Sequence, residues 1–326
     1  MMKLRHTNII RFILPFVQYI VLALWLLTSS MLFGQQQAQS TLYTLNPLLI
    51  NPAYAGAKNV SNATINARFQ WVGIKGAPMT QFASIQGPLK DKNLGMGLVI
   101  ENDITGARAM QGVYAQAAYS FRLNKNFHRL SIGMNVGMDI IQTNFSNLAV
   151  NEADQSDPLR TNQLILSPNA GVGAYYFADK FYAGFSVPRL LSRTNGLASG
   201  NHSNNNAQIF DPLFYLTGGY VFTLHPNWAL KANGLFKFQA DAPVVFELGV
   251  STIWLDKFYT GMTYRYHESI IFTTMYRVHK KFYVGYSFDM PVNGLALNQW
   301  GTHEISLSFE WGRHLNKRKS SSCFYF

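Results

Sequence analysis

The chain has 326 residues, of which 13% are charged and 14% aromatic, with 25 glycines and a formal net charge of +11. A soluble domain carries about 25% charged residues. No internal run of about 20 apolar residues is present to build a helical membrane bundle, so the composition points to β-structure that faces lipid. The basic residues are scattered through turns and a C-terminal tail with no recognition helix among them, which argues against nucleic acid as a partner.

Residues 1–34 have the form of a secretory signal peptide. Lys3, Arg5 and Arg11 make a positive start, Ile13 to Phe33 is apolar apart from Pro15 and Gln18, and cleavage is expected after Gly34. The apolar stretch exceeds the usual ~7–15 residues, so an uncleaved anchor is the alternative. Either way the rest of the chain leaves the cytoplasm. No cysteine follows the leader where a lipoprotein would need one. The single Cys323 supports neither an internal disulfide nor a cysteine-based metal site.

Residues 35–60 form a separate N-terminal segment, a plug or a periplasmic piece. Its centre, Leu45 to Gly56, carries Asn46-Pro47 and Asn51-Pro52, five residues apart, and ends in Ala55-Gly56. Each proline fixes its own φ and pushes the preceding residue out of the helical region. Gly56 takes positive φ without steric cost. The segment is therefore neither a helix nor a central strand but a rigid, twice-turned stretch. A plain linker would not carry Leu48, Leu49, Ile50 and Tyr54, so something is expected to cover it.

From Asn59 the hydrophobic period changes to two, the strand signal. Ala63, Ile65, Ala67 and Phe69 alternate with Asn62, Thr64, Asn66, Arg68 and Gln70, and similar alternation recurs to the end of the chain. Strands are expected near 61–73, 79–87, 94–102, 107–121, 127–139, 167–177, 181–187, 213–224, 228–239, 243–254, 258–267, 269–277, 281–289 and 302–312. Fourteen strands of this length suit a transmembrane antiparallel up-and-down β-barrel over residues 61–312, followed by a basic tail over 313–326. Loop length supports this independently. Connections after even strands are short and mostly carry lysine, namely Lys90, Lys92, Lys125, Lys180, Lys257 and Lys280. The long ones, 140–166, 188–212 and 290–301, follow odd strands, as expected of a barrel with short periplasmic turns and long outer loops. Trp71, Tyr119, Tyr176, Trp228, Trp254, Tyr266 and Trp311 fall near strand ends, where aromatic girdles form.

No catalytic constellation stands out. His267-Glu268-Ser269 has a His-x-Ser spacing used by outer-membrane phospholipases, but it falls at a tight turn with no asparagine placed to orient the histidine. His303 and Glu304 are adjacent in a strand, hence on opposite faces, and cannot act as a dyad. Asp139, Glu152, Asp154 and Asp157 cluster near a long outer loop, a weak Ca²⁺ signal without EF-hand spacing. No metal, nucleotide or other cofactor is expected.

Several motifs together resemble one family. The run Asn46-Pro47-Leu48-Leu49-Ile50-Asn51-Pro52-Ala53-Tyr54-Ala55-Gly56 resembles the amino-terminal signature of the PorP/SprF family of Bacteroidetes outer-membrane proteins. Arg68-Phe69-Gln70-Trp71-Val72-Gly73 followed by Gly76-Ala77-Pro78 does so too, as do Gly95-x-Gly97 with Asp103 and Gly106, and Gly301-Thr302-His303-Glu304-Ile305. The ending, from Arg313 to Phe326, departs from the family pattern. The resemblance implies an outer-membrane barrel of the type IX secretion system and, in gliding species, of the motility machinery. It also implies two kinds of partner. One is secreted cargo with a type B C-terminal domain, exported or anchored at the surface; the other is the periplasmic lipoprotein components of the same machine. The expected partner-binding residues are Asn46, Pro47, Asn51, Pro52, Ala53, Gly56, Arg68, Gln70, Trp71, Gly76, Pro78, His303 and Glu304.

Residues 45–56 are expected at or in the periplasmic mouth, with Asn46, Asn51, Arg68 and Gln70 on the lumen side. The outer loops 140–166 and 188–212 are the candidates for cargo contact. A diffusion channel or transporter is the alternative, since polar strand faces would line an open lumen equally well.

Overall fold

A computed structural model describes residues 39–58, 60–89, 93–123, 128–144, 163–191, 212–240, 242–294 and 299–312. The expected leader, the basic tail with Cys323, and most of the two longest loops lie outside these residues. Fourteen antiparallel strands close into one up-and-down barrel, each bonded to its sequence neighbours and the first to the last. They are β1 (Ser61–Phe69), β2 (Met79–Pro88), β3 (Leu94–Thr105), β4 (Arg108–Arg122) and β5 (Arg129–Thr143). Next come β6 (Gln163–Phe177), β7 (Phe181–Val187), β8 (Leu213–His225), β9 (Trp228–Gln239) and β10 (Val245–Trp254). The ring is completed by β11 (Phe258–Arg265), β12 (Ser269–His279), β13 (Phe282–Pro291) and β14 (Thr302–Trp311).

The strand count and nearly every boundary agree with the period-two reading. The largest shortfall is β1, expected to reach residue 73 but ending at Phe69. Trp71 at φ 46° and Gly73 at φ 102° turn the chain there. β5 runs on to Thr143, beyond its expected end at residue 139, so Asp139 lies well inside the strand and is buried on the lumen side. Glu152, Asp154 and Asp157 lie outside the described residues. Among those described, no group of acidic, histidine or cysteine side chains is placed to hold a metal.

The outer face is an apolar belt. Ile65, Met96, Val136, Leu216, Leu248 and Met262 are all exposed there, as only a lipid-covered surface can sustain. Tyr119, Tyr176, Trp228, Trp254 and Trp311 ring the short-turn end, where Trp228 pairs directly with Trp254. The inward face is polar and buried: Asn62, Thr64, Asn66 and Arg68 on β1, and Lys231, Asn233 and Lys237 on β9.

The belt predicts strong asymmetry between faces. Leu248→Arg, at mid-height of β10, should lower barrel stability in lipid by about 2–4 kcal/mol. Denaturant unfolding of the reconstituted barrel checks this, and an unchanged midpoint would mean that this face does not meet lipid.

Candidate functional site

The polar lumen is occupied by the chain's own N-terminal segment. Three short 3-10 turns, Thr41–Thr44, Pro47–Leu49 and Pro52–Tyr54, descend through it and lead into β1. The Asn-Pro pairs dictate this shape. Asn46 and Asn51 have φ near −133° and −140°, out of the helical region as a residue before proline must be, and each proline opens the next turn. Asn51 does two jobs. Its Oδ1 accepts from Ala53 N at 2.9 Å, capping the third turn, and its Nδ2 donates to Ala174 O on β6 at 3.0 Å. Asn46 Nδ2 donates to Ser84 Oγ on β2 at 2.8 Å.

The segment touches most of the barrel wall. Gln116 on β4 donates to Leu48 O, and Ser186 on β7 donates to Ile50 O at 2.6 Å. Tyr43 packs with Leu213, Tyr215 and Leu235, and Leu45 packs against the cluster containing Met275 of β12. Leu42, Leu48 and Ala53 are 0% exposed. Burial pushes the Tyr43 phenol well above its ordinary range and the Glu247 carboxylate adds to this, so the hydroxyl stays neutral.

The wall is cut to fit. A side chain on Gly133 of β5 would collide with the Pro52-Ala53 backbone, one on Gly173 of β6 with the Asn51 side chain, and one on Gly95 of β3 with Ala55 O. These inward glycines form a groove that lets the turns lie against the sheet. Near the short-turn end, Gly56 at φ 72° donates its N–H to Gln86 Oε1 at 2.8 Å, and Lys58 pairs with Glu310 of β14 at 2.8 Å.

Towards the long-loop end the segment is held by a buried ionic cluster. Glu304 accepts from Ser40 Oγ at 2.5 Å, from Thr41 N at 2.7 Å and from Arg68 NH1 at 3.3 Å. Arg68 NH2 also meets Asp289 of β13 at 2.8 Å. Arg265 of β11 bonds Glu247 at 2.7 Å and Asp289 at 3.4 Å. Thr41 Oγ1 uses its full capacity: it accepts from Arg68 at 2.6 Å and Arg265 at 3.3 Å and donates to Asp289 at 2.9 Å. A second network lies beside it. After β7 the chain turns inward, and Arg189 reaches Glu101 at 2.7 Å and Tyr114 OH at 2.8 Å, while Tyr114 donates to Asp139.

Of the residues singled out in the sequence, Asn46, Pro47, Asn51, Pro52, Ala53, Gly56, Arg68 and Glu304 come together in the lumen. The segment stands inside the barrel rather than only at its mouth, rising to the level of Arg68 near the far end of β1. Gln70, Trp71, Gly76 and Pro78 belong to the long-loop rim. Gln70 N donates to Pro78 O, Trp71 N to Thr302 Oγ1 at 3.2 Å, and Gly106 N to Gly76 O at 3.1 Å. Gln70 directly follows the last residue of β1 and is half-buried at this rim. His303 lies on the lipid face among Tyr286, Phe288 and Trp300, with Nδ1 2.8 Å from Tyr286 OH. Glu304 points the opposite way, so the two form no dyad. His267-Glu268 make the turn between β11 and β12, and Glu268 pairs with Arg265 at 3.0 Å. Sequence reasoning missed Thr41, Lys58, Arg265, Asp289, Glu310 and the glycine groove. A charged residue in the inward phase of its strand was the available signal for Arg265, Asp289 and Glu310.

Removing one member of the ionic cluster strands the others. Arg68→Leu should destabilise the barrel by about 3–5 kcal/mol, and adding Asp289→Asn and Glu304→Gln should recover part of it. Denaturant unfolding of the single and triple variants checks this; a single variant as stable as the parent would mean the cluster does not hold the segment.

Solved barrels similar in architecture include the toluene transporter TbuX of Ralstonia pickettii, at 8% identity and TM-score 0.47, the match covering 81% of this chain and 92% of that one. A FadL homologue of Pseudomonas aeruginosa matches at 11% identity and TM-score 0.45, over 85% and 95% of the two chains. The outer membrane protein Omp33 of Acinetobacter baumannii matches at 8% and 0.43, over 78% and 98%. Comparison with curated proteins returns no match. Residues 32–309 match the family described as type IX secretion system membrane protein PorP/SprF, and the chain belongs to that family.

Proposed function

We propose that this outer-membrane barrel is a closed, non-catalytic scaffold of the type IX machinery, which helps export secreted proteins bearing a type B C-terminal domain or holds them at the cell surface. The observation that carries this reading is the filled lumen. The N-terminal segment is buried against most of the wall, tied to it at one end by the Lys58–Glu310 ion pair and at the other by hydrogen bonds from Ser40 and Thr41 to Glu304, which leaves no wide aqueous path among the described residues. A rigid, closed barrel suits presentation of its two rims to partners. The short-turn rim, periplasmic in barrels of this kind, exposes Lys180, Lys257 and Lys280 to the lipoprotein components expected there. The opposite rim, where residues 70–78 and 299–301 are cross-linked through Val72–Gly301 and Val72–Trp300 backbone bonds, faces the secreted cargo.

Deletion of the gene, followed by mass-spectrometric comparison of surface and culture-fluid proteins, tests the reading. Loss or release of one or a few proteins with the rest unchanged is expected. An unchanged set, together with steady conductance of the purified barrel, would favour a diffusion channel instead. Replacing Pro47 and Pro52 together should loosen the segment and reduce cargo display while the barrel still inserts; full display in that variant would separate the segment from the function.

A further inference from the structure

A small chamber of mixed polar and apolar lining lies above the plug, on the long-loop side. Tyr43, Leu49 and Ile50 make its floor, and its walls come from β3, β4, β5, β8, β9 and β10 together with the inward turn at Pro188-Arg189. Two sets of groups in it lack the partners that their burial calls for. On one wall Lys237 of β9 stands beside Tyr215, its direct cross-strand neighbour on β8. Lys237 is only 8% exposed and its Nζ donates to Gln39 Oε1 at 3.2 Å. Among the described residues no carboxylate lies within 4.0 Å of it, whereas Arg68, Arg189, Arg265 and Lys58 each have one. An ammonium has three donors and a full charge, so a single neutral amide leaves it largely unmatched.

On the facing wall the deficit is of acceptors left over. Glu101 Oε1, Gln116 Oε1 and Asn135 Oδ1 are buried without a donor. Gln116 and Asn135 are direct cross-strand partners. Both have already spent their amide nitrogens, Gln116 on Leu48 O and Asn135 on Pro188 O, which leaves their oxygens as the open ends.

We propose that this chamber binds the carboxyl-terminal end of a peptide. The carboxylate sits on Lys237 with the Tyr215 phenol donating to it, and the N–H groups of the last residues donate to Gln116, Asn135 and Glu101. Water alone would serve the acceptors but leave Lys237 without a carboxylate in contact, Glu247 being on the wall of the chamber but beyond 4.0 Å. An inorganic anion would serve Lys237 but brings few donors to the opposite wall. A ligand with a carboxylate at one end and N–H groups along its length offers partners to both walls. Free short peptides and the ends of longer polypeptides share this chemistry. The inference requires only access from the long-loop side and does not rest on the cargo role.

The test is calorimetric titration of the full barrel in detergent with tri-alanine, tri-alanine amide and inorganic phosphate. Tri-alanine should bind, and the amide should bind about tenfold more weakly or not at all, as loss of a charge-assisted hydrogen bond requires. Lys237→Met should abolish tri-alanine binding and Lys237→Arg should retain it. Lys231→Met removes another buried ammonium of β9, one that does not line the chamber, and should leave binding intact. A folded protein with a flexible tail ending in three alanines separates the sources. Binding of that tail assigns the chamber to polypeptide ends; its exclusion while tri-alanine binds assigns it to free peptides. No binding of tri-alanine, equal binding of acid and amide, phosphate binding as tightly as tri-alanine, or full binding by the Lys237→Met barrel would each overturn the proposal. Should that variant fail to fold, the acid and amide pair on the parent barrel still decides.

Discussion

A polar strand face buried away from water must be met by partners, and in this barrel the partners come from the chain itself. The inward charges of β1, β11, β13 and β14 pair with one another, and Ser40 and Thr41 of the plug add hydrogen bonds to Glu304, Asp289, Arg68 and Arg265 among them. The dependence runs both ways. The plug's three turns satisfy part of their own backbone, as in Leu45 N to Leu42 O and Ile50 N to Pro47 O, while Thr41 N, Gly56 N, Leu48 O and Ile50 O rely on the wall. Asn51 shows the exchange at one residue, capping its own turn with its oxygen and bonding the β6 backbone with its nitrogen.

Much of the wall was legible in advance. Period-two alternation locates strands because lipid on one side and polar contents on the other impose opposite demands on successive residues. Strand ends were legible too, since turns need particular backbone conformations, though Trp71 at φ 46° hid the end of β1 because tryptophan does not signal a left-handed turn. The Asn-Pro run announced a rigid segment that is neither helix nor strand. Its height in the barrel was not legible, because a polar inward face reads the same whether it lines water or a plug. Gly133 and Gly173 look like unremarkable strand glycines until the backbone they accommodate is placed against them. Arg189 was likewise hidden, since nothing in the sequence marks Pro188-Arg189 as turning inward rather than outward.

Burial of the plug bears on function through rigidity. The plug is tied to β14 near both ends, through Glu304 and Glu310, and wedged in a glycine groove between them. A structure joined in this way offers fixed rims to its neighbours on either side of the membrane, while the inward turn after β7 leaves a small chamber open above the plug. Membership of the type IX family and the filled lumen are the two observations on which the proposed scaffold role rests.

The most direct test of the central claim is hydrogen exchange of the full barrel in lipid nanodiscs, read across residues 41–57. The account predicts that the amides of this segment exchange as slowly as those of β5 and β6, because they are buried in the lumen and hydrogen-bonded, most within the turns and some to the wall. Exchange as fast as in a free chain would contradict it, and would place the segment outside the lumen for much of the time.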